Sequence, residues 1–175
     1  MGLKQILIVI FGFSLLSFSL PKNLQKKVDK EITEVFELDE FNLTSVLIPA
    51  EIEQTLPSRF GEDHFFKVES NDQFIAYAYV SQAASKTALF DFLVLLDKDL
   101  IVLKTKVLIY REEYGGEIGS KRWLKQFIGK TQDDDLKYGD DIVAISGATI
   151  SVRSFTEAMN DFLKSLKILH SKKLL

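Results

Sequence analysis

The sequence predicts an α+β fold: a mainly antiparallel sheet with N-terminal, middle and C-terminal helices packed on it, in a single domain. Three observations predict it. Residues 89–111 hold two β-like runs around a polar turn, Asp97-Lys98-Asp99. Val152, Phe155, Met159, Phe162, Leu163, Leu166 and Leu169 recur at helical spacing after Ile150. Leu24, Val28, Ile32, Val35 and Phe36 do the same across residues 23–36, with charges between them.

Each element can be justified in chain order. Residues 23–36 form the first helix. The stretch to Pro49 is irregular or a short strand, and residues 50–57 hold a short helix before Pro57. "FFKVES" and "FIAYAYVSQ" are strands separated by the turn Ser70-Asn71-Asp72. In the next hairpin, Phe90, Phe92, Val94 and Leu96 share a face. Ile101, Leu103, Val107 and Ile109 lie on one side of the following strand, with Lys104 and Lys106 on the other. "REEYGGEIGS" places Gly115, Gly116 and Gly119 within five residues, a loop that turns tightly or lets another group approach. "KRWLKQFIG" is a short amphipathic helix ending at Gly129, in which Trp123 reads as core packing, with stacking on a ligand ring as the alternative. Residues 130–141 form a polar loop, Ile142–Ile145 a short strand, and the terminal helix begins near Ile150.

Composition narrows the function. The 175 residues contain no cysteine, which excludes disulfides, thiolate metal sites, iron–sulfur clusters and covalent haem. His64 and His170 have no ligand spacing, and Asp133-Asp134-Asp135 reads as a solvated loop, so no metal site is expected. A net charge of −3, with acids and bases interspersed, argues against nucleic acid as a partner. No nucleophile–base set is visible, so no catalytic residue is nominated. Any redox chemistry needs an organic cofactor.

The N-terminus has the form of an export signal. Lys4 precedes the uncharged run Ile6–Leu20, and Pro21-Lys22 ends it. Ser17 and Ser19 supply the small residues of a cleavage site. The run is short for a membrane span, and both a cleaved signal peptide and a signal anchor remain open. The expected organisation is therefore a signal or anchor at 1–20, a helix with an irregular extension at 21–71, and the main domain at 72–168, in an extracytoplasmic or periplasmic location.

The segment with chemistry is "AISGATISVRS". Ser146, Gly147, Ala148 and Thr149, with Ser151 and Arg153 just beyond, sit where the terminal helix begins. A helix N-terminus exposes unpaired N–H groups and favours anions. Small residues keep the approach open, and hydroxyls bind either a phosphate or the helix end itself. From the junction alone, an ordinary cap and an anion site are both open.

The order Ser-Gly-Ala-Thr resembles the attachment motif of the FMN-binding domain family. That family includes the C subunit of the sodium-translocating NADH:quinone oxidoreductase and the G subunit of the Rnf complex. The "DKD" turn and "REEYGGEIGSKRWLKQFIGK" (111–130) are similar to further family elements. The resemblance implies FMN as cofactor, attached through a phosphoester at Thr149 by a separate flavin transferase. Ser146, Gly147, Ala148, Gly115, Gly116, Glu117, Ser151 and Arg153 would lie around it, and the Gly115-Gly116 loop would face the Thr149 junction. Glu112 and Glu113 are further candidates for polar contacts. It also implies an electron-transfer protein or oxidoreductase subunit without its own substrate site. Redox proteins, including a membrane oxidoreductase complex, would be its partners. One position departs from the family: Val143 stands where an Asp is usual, three residues before Ser146. Non-covalent FMN therefore stays open. Without the resemblance, the chain reads as a non-redox extracytoplasmic interaction module in which Ser146–Thr149 is a helix cap.

Overall fold

The protein is described by a computed structural model covering residues 20–61 and 63–175. Apart from Leu20, the expected export signal lies outside the described residues. The predicted fold class is borne out. Helix α1 (Lys22–Phe36) precedes strand β1 (Asn42–Ser45), the short helix α2 (Ala50–Glu53) and strands β2 (Phe65–Ser70), β3 (Gln73–Ala84), β4 (Leu89–Leu96) and β5 (Val102–Ile109). The short helix α3 (Lys121–Leu124) and the long helix α4 (Thr149–Ser171) complete the order. The strands form one antiparallel meander, β1-β2-β3-β4-β5. Residues 21–71 therefore contribute two strands to the same sheet.

Both faces of the sheet are covered. On one, Val152, Phe155, Met159, Phe162, Leu163, Leu166 and Leu169 of α4 pack with Phe65, Tyr79, Phe90, Phe92, Val94 and Trp123. Phe155 is the hub of this face: it meets Phe92 edge-on at 4.9 Å and Phe127 at 5.0 Å. Such contacts add to the burial energy of the rings. On the other face, Leu24, Val28 and Ile32 of α1 pack against Phe66, Val68, Ala78, Val80, Leu93 and Leu95. Leu20 joins them and is 6% exposed. Strand β4 is thus buried on both sides, which explains its nearly continuous apolar sequence.

Two sequence expectations need correction. The alternation of β5 does not continue to Ile109. Register shifts beside Leu96 and Phe92 break the ladder, and Ile109 turns to the α1 side while Val107 stays on the α4 side. A bulge inserts one residue into the strand and reverses the facing of the residues beyond it. Lys104 and Lys106 do lie on the opposite side, but α1 covers it. The buried Glu31 carboxylate receives Lys104 at 2.5 Å and Lys106 at 3.2 Å. Residues 142–145 are likewise not a strand: Ile142 makes only an isolated bridge to Tyr138. Side chains take the Val143 backbone instead, with its N–H donating to Gln126 Oε1 and its carbonyl accepting from Trp123 Nε1, both at 2.8 Å.

Candidate functional site

The site lies where α4 begins. Gly147 has φ +81°, a left-handed conformation that glycine adopts without strain. Ala148 then occupies the position before the first helical residue, and no side chain caps the helix. The ordinary capping role for Ser146 or Thr149 is therefore not what the fold uses. Thr149 is exposed, and among the described residues its hydroxyl makes no hydrogen bond. Among the described residues the N–H groups of Thr149, Ile150 and Ser151 are also unpaired; the first ladder bond is Val152 N–H to the Ala148 carbonyl at 2.9 Å. Three free donors and a free hydroxyl thus converge at the positive end of a 23-residue helix.

The glycine loop faces this turn, as the resemblance implies. Gly115 has φ +79°, and a Cβ there would stand 2.9 Å from Ala148 Cβ and 3.0 Å from Tyr110 Oη. Gly115 is thus required for the loop to close on the helix start. Gly116 has open space around it. Glu117 is exposed at the start of the next wall.

The remaining nominated residues separate. Ser151 is buried and shares a hydrogen bond with Tyr110 across 3.0 Å, which ties strand β5 to α4. The Ser154 hydroxyl donates to the Ala84 carbonyl and ties β3 to the same turn. Arg153 lies over the Tyr138 ring, 4.7 Å from its centroid. Glu112 accepts from Ser85 Oγ and Thr87 N–H, both at 2.7 Å, and so clamps the β3–β4 connection. These bonds, that from Ser85 foremost, hold its pKa below the ordinary carboxylate value. Glu113 and Tyr114 are exposed. Trp123 packs edge-on against Phe127 in the core, as expected, while its indole edge anchors Val143.

Beside Ser146 opens a cleft of about 500 Å3, walled by Glu117, Arg122, Lys125, Gln126, Val143 and Ile145 among others. That size suits a small-molecule site, roughly 300–1,000 Å3. The sequence reading missed Arg122, Lys125 and Gln126. Their only signal was the three- and four-residue spacing that puts them on one side of a short helix. Among the described residues, no cluster of His, Asp and Glu is placed to hold a metal ion. Asp133, Asp134 and Asp135 each pair with a lysine, Lys167, Lys130 and Lys164 respectively. No described helix is long and apolar enough to cross a membrane.

A two-sided α+β sheet, an uncapped helix start with an exposed threonine, and a glycine loop pressed against it mark the start of α4 as the candidate site. Residues 90–164 match the model of the FMN-binding domain family, which bears out the resemblance read from Ser146–Thr149. The fold is also similar to the crystal structure of NqrC from Shewanella oneidensis. That likeness has 21% identity and a TM-score of 0.50, over 75% of this chain and 70% of that one. No curated protein matches the chain.

Proposed function

We propose that this protein is an exported or membrane-anchored flavoprotein that holds FMN through a phosphoester at Thr149 and relays electrons. The observation that carries the reading is the Thr149 hydroxyl, exposed and, among the described residues, uncommitted on a helix start whose N–H groups have no partner there. The donors fit a phosphate: Thr149, Ile150 and Ser151 offer N–H groups, and Gly147 and Ala148 leave the approach clear. Bound there, FMN supplies one- or two-electron transfer through its ring.

The chain's own residues do the positioning. Gly115 closes the loop on Ala148. The Tyr110–Ser151 hydrogen bond holds α4 against the sheet, so the first turn presents Thr149 at a constant angle. Attachment by a flavin transferase would transfer the FMN moiety from FAD to the Thr149 oxygen and release AMP, with the threonine proton going to solvent. Export supports a covalent tether, since a free cofactor would diffuse away outside the cytoplasm. Redox proteins, including a membrane oxidoreductase complex, are the partners of this reading; its support is the family match and the fold likeness to NqrC.

The test is co-expression with a flavin transferase and purification under denaturing conditions. The wild type should show in-gel flavin fluorescence and a mass gain of one FMN less one water, and Thr149→Ala should show neither. Yellow colour lost on denaturing the wild type would replace the phosphoester with non-covalent FMN.

A further inference from the structure

We propose that the cleft beside Ser146 receives the flavin ring and that Arg122 and Lys125 favour its reduced, anionic form. The inference rests on the FMN reading above. Ser146 lies on the cleft wall and Thr149 is three residues away, at most about 10 Å along the chain. A ring tethered at Thr149 by its ribityl chain therefore has the cleft within reach.

The walls differ in chemistry. Trp123, Val143, Ala144 and Ile145 give an apolar side, and Val143 is 63% exposed towards solvent. That side is rigid, because Trp123 and Gln126 hold both backbone groups of Val143. Arg122 and Lys125 give a cationic side. Among the described residues neither has an ion-pair partner, and Glu117 is the cleft's one carboxylate. A flat, apolar ring system with a polar end that gains negative charge on reduction complements both walls. Val143 has a part in this. An Asp at that position, as in the family pattern, would put a second carboxylate among the cations and neutralise the cleft. The apolar Val leaves their field intact.

The experiment is a redox titration of flavin-loaded protein against a reference dye, with FMN as the cofactor. Arg122→Gln/Lys125→Gln should weaken the preference for reduced over oxidised flavin roughly tenfold, which is about 30 mV for a two-electron couple. Val143→Asp should move it in the same direction by adding a carboxylate. Lys98→Gln, in the β4–β5 turn, removes a charge away from the cleft and should leave the potential unchanged. All four positions are exposed, so each variant should melt with the wild type. A shift below about threefold in both cleft variants, or an equal shift in Lys98→Gln, overturns the assignment while leaving the FMN reading intact. Wild type that takes up no flavin overturns both.

Discussion

Gly115→Ala tests the closure of the glycine loop on α4, because two separable costs meet at that residue. The first is backbone strain. An alanine held at φ +79° costs about 1–2 kcal/mol. The second is steric: the new methyl would stand 2.9 Å from Ala148 Cβ and 3.0 Å from Tyr110 Oη. Neither neighbour yields freely, since Ala148 is at the buried helix start and Tyr110 is tied to Ser151. Overpacking of that kind adds about 1–3 kcal/mol. The expected total is about 3 kcal/mol. Gly147→Ala isolates the first term, because its φ is +81° but a Cβ would meet nothing within 4 Å. Gly116→Ala carries neither term and should fall within about 0.5 kcal/mol of wild type. Urea unfolding reads the series. With a slope of roughly 2 kcal/mol per molar, the midpoint should drop by about 1.5 M for Gly115→Ala and by about 0.5–1 M for Gly147→Ala. Equal midpoints for Gly115→Ala and Gly147→Ala would refute the close approach, and with it the geometry of the site.

The same geometry sets further expectations. Glu31→Gln should destabilise by about 2 kcal/mol, less than the roughly 3–5 for a fully buried pair, because Lys104 and Lys106 keep part of their side chains in water; chemical denaturation checks it. Burial pushes the Glu31 pKa up, but the hydrogen bonds and charges of Lys104 and Lys106 outweigh that and leave it below 4.5. The Glu112 pKa is likewise lowered from 4.5, so its clamp on Ser85 and Thr87 is fully stabilising above that value and lost as pH falls through the folded pKa. The stability gap between wild type and Glu112→Gln should therefore be constant near neutrality and shrink below about pH 4.5; a gap independent of pH would remove the carboxylate from the account. If the N-terminal run acts as an export signal cleaved after Ser19, as proposed, mass spectrometry of the secreted product should find Leu20 at its N-terminus. That position would retain the side chain that packs under α1 with Leu24 and Val28.

Much of the scaffold was legible because its signals are local. The α4 stripe from Val152 to Leu169 follows from helical spacing, and every residue of it is buried. The β4–β5 hairpin followed from its apolar runs and the Asp97-Lys98-Asp99 turn, where Asp97 Oδ1 accepts from the Asp99 and Ile101 N–H groups. The readings that failed had no local signal. "IVAI" has the composition of a strand, but two side chains 17 and 20 residues away claim the Val143 backbone before any ladder can. Ile109 follows the alternation of Val107 on paper, yet a bulge in β5 reverses it.

The sequence by itself determined the helices and the main strands, the absence of cysteine chemistry, and a Ser-Gly-Ala-Thr turn at the start of the last helix. These depend on periodicity and residue type within a few positions. Tertiary structure alone decided that no side chain caps that helix, that Gly115 meets Ala148, and that Ser151 is spent on Tyr110, 41 positions away. It also decided that α1 covers the far face, where Glu31 pairs with both Lys104 and Lys106 and Glu34 also reaches Lys104. The physical reason is common to all of them. Whether a hydroxyl or a charge is free depends on which distant backbone packs beside it, and the residue's own neighbours in the chain carry no record of that.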